Sequence, residues 1–307
     1  MKHGALFLTV LALGGLLACQ KAAEQTTTTT APAAAPKPVQ KSAIDGLSTP
    51  ESVLYDPDQD VYFISNINGS PLETDNNGFI SRVNPDTLAV DLKWIEAGKN
   101  NVTLNAPKGM AIIGDTLYVS DITSVRKFNR RTGAPEGEIR IPGSTFLNDL
   151  ASDGNILYLT DSGLKSDGKG GFAPTGSDAV WKIEKDKPSK LASGKDLNAP
   201  NGVAVLNAQV WVVTFGSNEL YSIDNGKKAN VVKLPQGQLD GLVPLIDGTF
   251  LISSWEGSDV YRGPAAGPFT VVVENVKSPA DIGYDTKRYR LLIPHFQENR
   301  VTIHDLR

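Results

Sequence analysis

An all-β chain folded as a six-bladed β-propeller is what the sequence predicts, on three observations. The phrase NAPKGMAI at Asn105–Ile112 returns as NAPNGVAV at Asn198–Val205. Segments such as VYFISNI, TLYVSDI, ILYLTDS, VWVVTFG, FLISSWE and RLLIPHF are short and rich in β-branched and aromatic residues, with Gly, Asn and Asp turns between them. That is the pattern of strands, and no ten-residue amphipathic helix interrupts it. Third, aligning on the two phrases reveals further copies. Lys108 is followed by Tyr118 and Asp121, Asn201 by Trp211 and Thr214, Asn148 by Tyr158 and Asp161, and Asp240 by Phe250 and Ser253. Glu51 begins a fifth copy with one extra turn residue (Tyr62, Ser65), and Ala280 a looser sixth. The anchors Glu51, Lys108, Asn148, Asn201, Asp240 and Ala280 are 57, 40, 53, 39 and 40 residues apart. Repeats of about forty residues, each holding four short strands, are propeller blades.

The elements follow in order. Residues 1–18 read as a signal: Lys2 is a positive start, Ala5 to Leu17 is apolar, and small residues precede Cys19. The apolar run is too short to span a bilayer comfortably. LLAC resembles a bacterial lipobox, which implies cleavage before Cys19 and lipidation of it. Cys19 is the single cysteine of the chain, so no intramolecular disulfide is possible. Gln20 in place of Asp implies an outer-membrane lipoprotein facing the periplasm in a Gram-negative envelope. Residues 19–41, with TTTTT and APAAAPKP, lack the large apolar residues a core needs and read as a tether. Residues 42–307 form the propeller. The last copy stops soon after its third strand, RVTIHDL, so its fourth is expected from within Val39 to Leu47, closing the ring and covering its sheet edges.

Each anchor opens the innermost strand of its blade, so all six converge at one mouth of the central channel. The loops between second and third strands open on the same mouth, and two are long: Asn66 to Gly78 and Ser162 to Asp178. They read as lid or specificity elements, or else as idle insertions.

The net charge is −4, or −5 once Lys2 leaves with the signal. No basic stripe exists, which argues against a nucleic-acid partner. At the mouth, Glu51, Asn148, Asn201 and Asp240 form an all-oxygen set with two carboxylates, which suits calcium. Zinc would want His or Cys, and the folded part offers only His295 and His304. The bland alternative is that polar anchors merely cap the blade tops. Gly202 and Gly241, directly after two anchors, are read as letting the backbone approach an ion.

TPESVLYDP, LNDLASDG, APNGVAV and LDGLVPLIDG resemble the senescence marker protein/gluconolactonase/luciferin-regenerating-enzyme-like propellers. They are similar also to diisopropylfluorophosphatase and, more distantly, to paraoxonases. The resemblance covers about residues 45–307. It implies one catalytic calcium held by Glu51, Asn148, Asn201 and Asp240, with Asp149 close by. It implies hydrolysis of a small-molecule lactone or phosphotriester-type ester, with Asp240 and then Asp149 as the candidate base or nucleophile. The sugar-acid lactonases share an Arg two residues before the first Asn; Phe146 stands there instead, which argues against an aldonolactone. The His pair of paraoxonase-like enzymes is lacking, since His3 leaves with the signal and His304 lies in an outer strand, so His295 alone is expected at the mouth.

Trp255 and Phe215 end second strands and either wall an apolar pocket or pack between blades. Lys108 replaces an oxygen ligand with an ammonium that repels a cation. It therefore pairs with Asp149 or Glu51, binds an anionic substrate or product, or reaches water at the rim. The competing function is a non-catalytic ligand- or protein-binding propeller lipoprotein, touching the membrane through its lipid alone.

Overall fold

The chain enters the fold as β1 (Val39–Ile44), which becomes the outermost strand of the last blade. Blade 1 follows as β2 (Pro50–Asp56), β3 (Val61–Asn66), β4 (Phe79–Val83) and β5 (Val90–Glu96). Blade 2 is β6 (Pro107–Ile113), β7 (Thr116–Asp121), β8 (Ser124–Asn129) and β9 (Pro135–Arg140). Blade 3 is β10 (Leu147–Ser152), β11 (Leu157–Asp161), β14 (Ala179–Glu184) and β15 (Lys187–Ser193), with a small hairpin, β12 (Leu164–Ser166) and β13 (Phe172–Pro174), inserted before its third strand. Blade 4 is β16 (Pro200–Leu206), β17 (Gln209–Thr214), β18 (Glu219–Asp224) and β19 (Lys227–Lys233). Blade 5 is β20 (Leu239–Pro244), β21 (Thr249–Ser254), β22 (Asp259–Pro264) and β23 (Thr270–Val273). Blade 6 is β24 (Gly283–Asp285), β25 (Arg290–His295) and β26 (Arg300–Asp305), completed by β1. This computed structural model describes residues 37–307, besides Met1. The expected signal, the lipidated Cys19 and the tether as far as residue 36 otherwise lie outside the described residues.

Every blade is a four-stranded antiparallel sheet, and the six make the predicted propeller. Apart from a 3-10 turn at Lys195–Leu197, the described residues hold no helix. The closing strand lies where expected, with Val39 opposite Asp305 and Ile44 opposite Val301. It begins at Val39, three residues inside the stretch read as tether.

Six of the seven apolar clusters of the core lie one between each pair of neighbouring blades, and the seventh gathers Ile67, Ala106 and Ile122 with Phe296. Phe63, Leu117 and Phe128 join blades 1 and 2; Val125, Leu159 and Trp181 join 2 and 3; Val180, Val212 and Tyr221 join 3 and 4. Trp211, Phe250 and Tyr261 join 4 and 5, and Leu251, Val260 and Leu291 join 5 and 6. Blade 6 meets blade 1 through Ile44, Tyr62, Leu292 and Val301. At that seam Arg288 also reaches Asp60 and Asp86, both at 2.8 Å, and the buried Asp285 at 3.0 Å. Second-strand hydroxyls tie blades together near the axis: Thr160 Oγ1 donates to Asn201 O (2.6 Å) and Ser253 Oγ to Ala280 O (2.8 Å).

Candidate functional site

Five of the six anchors occupy one equivalent position, the second residue of the innermost strand: Glu51, Lys108, Asn148, Asn201 and Asp240. All five innermost strands bulge there. Pairing holds at the first residue, skips the anchor and its successor, and resumes at the next residue, as in Pro50↔Asn66 followed by Val53↔Ile64. A bulge re-aims a side chain out of the strand's alternation. Sequence alone does not reveal it. In blades 1 and 5 the residues facing the strand starts are Asn66 and Ser254, one along from Ser65 and Ser253, because the intervening turn is longer.

The five anchors line one outward-opening cavity with about 440 Å³ of empty space, part of it open to solvent. Phe146, Phe215, Trp255 and Phe296 wall it. Both long loops contribute, Ile67 and Pro71 from one and Leu164 and Phe172 from the hairpin of the other, so neither is idle. Phe215 meets Trp255 edge-on at 5.6 Å, Trp255 meets Phe296 at 5.1 Å, and Phe146 meets Phe172 edge-on at 5.7 Å. Trp255 and Phe215 therefore wall the pocket rather than packing between blades.

The floor is polar and incompletely hydrogen-bonded. Asn148 Nδ2 donates to Ser162 Oγ (3.2 Å) and Asn201 Nδ2 to Leu239 O (3.2 Å), which turns both amide oxygens the other way. Trp255 Nε1 donates to Asp240 Oδ2 at 2.8 Å. Glu51 Oε2, Asn201 Oδ1 and Asp240 Oδ1 are buried with no donor at all. Leaving buried acceptors unpaired costs about 1–3 kcal/mol each, more when charged. Burial pushes the Glu51 carboxyl well above the usual range, reinforced by Asp240 and Asp281. Burial, then Asp281, does the same to Asp240. A hard cation among these oxygens would remove both penalties at once, so the residues fit such an ion. Among the described residues no three His, Cys, Asp or Glu side chains converge as a metal site. The set is two carboxylates and two amides.

Three expectations need correction. Asp149 does not line this cavity. Its carboxylate accepts from Val203 N (2.8 Å) and Leu150 N (2.6 Å), and it faces a separate opening with Ser52 and Asp281. The residue after a bulged anchor points to the opposite side. His295 is absent from the lining as well: Nε2 bonds Thr302 Oγ1 at 2.8 Å and Nδ1 lies 3.1 Å from Glu298. The residue that reaches the cavity is its neighbour Phe296. Thirdly, Gly202 and Gly241 yield to protein rather than to an ion. A Cβ on Gly202 would sit 2.2 Å from Asp240 O, and on Gly241 2.3 Å from Ile282 N. These glycines let adjacent innermost strands press together around the axis.

Lys108 is only 1% exposed, so it does not reach water at the rim. Nor does it pair with Asp149 or Glu51. Nζ donates to Ala106 O at 3.0 Å and lies 4.7 Å from the centre of the Phe146 ring. Burial lowers its pKa to about 8, against the opposing pull of Glu51 and Asp121.

The chain matches no known protein-family model and no curated protein sequence. Solved structures do resemble it. A gluconolactonase from Xanthomonas campestris is 16% identical with a TM-score of 0.65, covering 89% of this chain and 95% of its own. Virginiamycin B lyase from Staphylococcus aureus is 12% identical with a TM-score of 0.58, covering 86% and 99%. A chain of the nidogen/laminin complex is 15% identical with a TM-score of 0.60, covering 75% and 87%. These likenesses establish the propeller fold. They span a hydrolytic enzyme, a lyase and an assembly component, so function is argued from the site.

The remaining strand-end side chains are structural. Asp121 accepts from Asn105 N and Ala106 N, and Asp161 from Phe146 N (2.9 Å) and Gly163 N (3.1 Å). They clamp the loops that deliver Lys108 and Asn148. His304 bonds Thr302 within blade 6, and burial lowers its pKa to about 4.

Proposed function

We propose that this chain is a calcium-dependent hydrolase of lactone or phosphotriester-type esters, working in the outward-opening cavity. One observation carries the reading: Glu51 Oε2, Asn201 Oδ1 and Asp240 Oδ1 are buried acceptors without donors on the cavity floor, beside Asn148. When bound there, calcium supplies Lewis acidity toward a carbonyl or phosphoryl oxygen. Ser162 and Leu239 O orient the two amides, and the Trp255 indole orients Asp240. The aromatic walls hold the substrate body and exclude bulk water. Asp240 is the candidate to take the proton of the attacking water. Lipidation at Cys19 would hold the enzyme at the bacterial envelope, at the outer membrane facing the periplasm in a Gram-negative cell.

A second reading, a non-catalytic binding propeller, is favoured by one feature. With Asp149 facing elsewhere, the two cavity carboxylates are both needed as ligands, and no further base stands free among the described lining residues. Two measurements separate the readings. Saturating calcium is expected to raise the melting temperature, since it binds only the folded state; about 100-fold excess over Kd adds about 2.7 kcal/mol. Glu51→Gln and Asp240→Asn are each expected to remove most of that rise. A parent melting curve indifferent to calcium overturns the metal site. Calcium binding without turnover in a screen of lactones and aryl phosphotriesters leaves the binding propeller.

A further inference from the structure

Lys108 is a buried ammonium with no ion-pair contact among the described residues, Glu51 and Asp121 acting on it only from a distance. It can donate three hydrogen bonds, and one is accounted for, to Ala106 O at 3.0 Å. The face of Phe146 supplies a weak second contact. No described carboxylate forms an ion pair with it, and it lines the same cavity as Glu51, Asn148, Asn201 and Asp240. Resting on the calcium reading above, the charged side chains that line the cavity then sum to a positive charge. Two carboxylates balance a divalent ion, and Lys108 remains over. Buried charge is tolerated when paired, so the floor is completed by an anion. Above it the walls are aromatic: Phe146 and Phe172 on one side, Phe215, Trp255 and Phe296 on the other. They offer little to the hydroxyls of a sugar acid.

We infer that the cavity binds a carboxylate on an apolar, preferably aromatic body, with the carboxylate spanning the cation and Lys108 Nζ and the body between the aromatic walls. Such a molecule is what hydrolysis of an apolar lactone leaves. Water adds across the acyl C–O bond, the bond breaks, the ring oxygen keeps one proton as a hydroxyl, and the second proton is released from the new carboxylic acid. The product is then a hydroxycarboxylate that the site retains, and Lys108 is a specificity-determining residue.

Calorimetry on the calcium-loaded chain tests this with 3-(2-hydroxyphenyl)propanoate, its neutral amide and gluconate. The aryl carboxylate is expected to bind at least about ten-fold tighter than either, as a charge-assisted contact and an aromatic seat together require. Lys108→Met is expected to erase the preference over the amide while still binding calcium. Phe172→Ser, on the exposed hairpin, is expected to erase the preference over gluconate. Equal affinity for carboxylate and amide in the parent, or a preference unchanged by Lys108→Met, overturns the anion assignment. Gluconate binding as tightly as the aryl acid overturns the apolar body. Calcium is titrated alone first. If it does not bind while the carboxylate still depends on Lys108, the calcium reading falls and the anion site stands.

Discussion

Asp281 makes the calcium-free protein sensitive to pH in a direction opposite to ordinary acid denaturation. It follows Ala280 on the axis side of blade 6, where its N–H donates to Glu51 O (2.8 Å) and its carboxylate accepts from Ser52 Oγ (2.5 Å). Burial pushes its pKa from 3.8 up to about 7. Between those values the folded state holds a proton that the unfolded chain has released. Stability therefore falls as pH rises through the window and is greatest at its acid end. At about 1.4 kcal/mol per pH unit, the gap amounts to about 4 kcal/mol. Asp281→Asn keeps the size and an acceptor for Ser52 but has no charge to bury. Urea unfolding in the presence of a chelator is expected to find parent and variant similar near about pH 4. Near about pH 8 the variant is expected to be more stable by about 4 kcal/mol. Asp281 also helps raise the carboxyls of Glu51, Asp149 and Asp240, which adds to the variant's advantage in the same direction. Identical pH slopes in parent and variant would refute the reasoning.

The packing around the axis and the closure of the ring yield two further tests. Gly202→Ala puts a Cβ 2.2 Å from Asp240 O, whereas Gly283→Ala puts one 2.1 Å from Val53 O. Each is expected to cost about 1–3 kcal/mol of stability as an overpacked site. Both should also weaken calcium binding, Gly202→Ala the more, because it crowds the backbone of Asp240 itself, whereas Gly283→Ala crowds β2 two residues from Glu51; calorimetry compares the two. A chain beginning at Pro36 keeps the unit Pro36–Arg307 and is expected to melt as cooperatively as the full protein. One beginning at Asp45 loses β1 and with it Ile44, which is 2% exposed against Val301 and Leu292. Its uncovered β26 edge should produce a lower, broader transition and association on concentration.

The sequence by itself determined the blade count, the anchor positions and the closing strand. Those features are local and repeated: a strand's alternation, a turn's glycine and a forty-residue period are written in neighbouring residues. It also indicated that Glu51, Asn148, Asn201 and Asp240 share a mouth, because equivalent positions in a ring must converge. What it could not determine is the direction each side chain takes once there. The bulge after Pro50, Pro107, Leu147, Pro200 and Leu239 has no residue common to all five blades, with Pro before it in three and Gly within it in three, yet it turns Asn148 into the cavity and Asp149 out of it. Phe296 rather than His295 enters the site for a similar reason of alternation along β25 and its turn. Gly202 and Gly241 looked like room for an ion and proved to be room for the next blade, since the distance between adjacent innermost strands is a property of ring closure. Lys108 is the clearest case. Its charge was legible, but its burial without an ion-pair contact depends on where Asp149, Glu51 and Phe146 stand in other blades, and only tertiary structure brings those residues together.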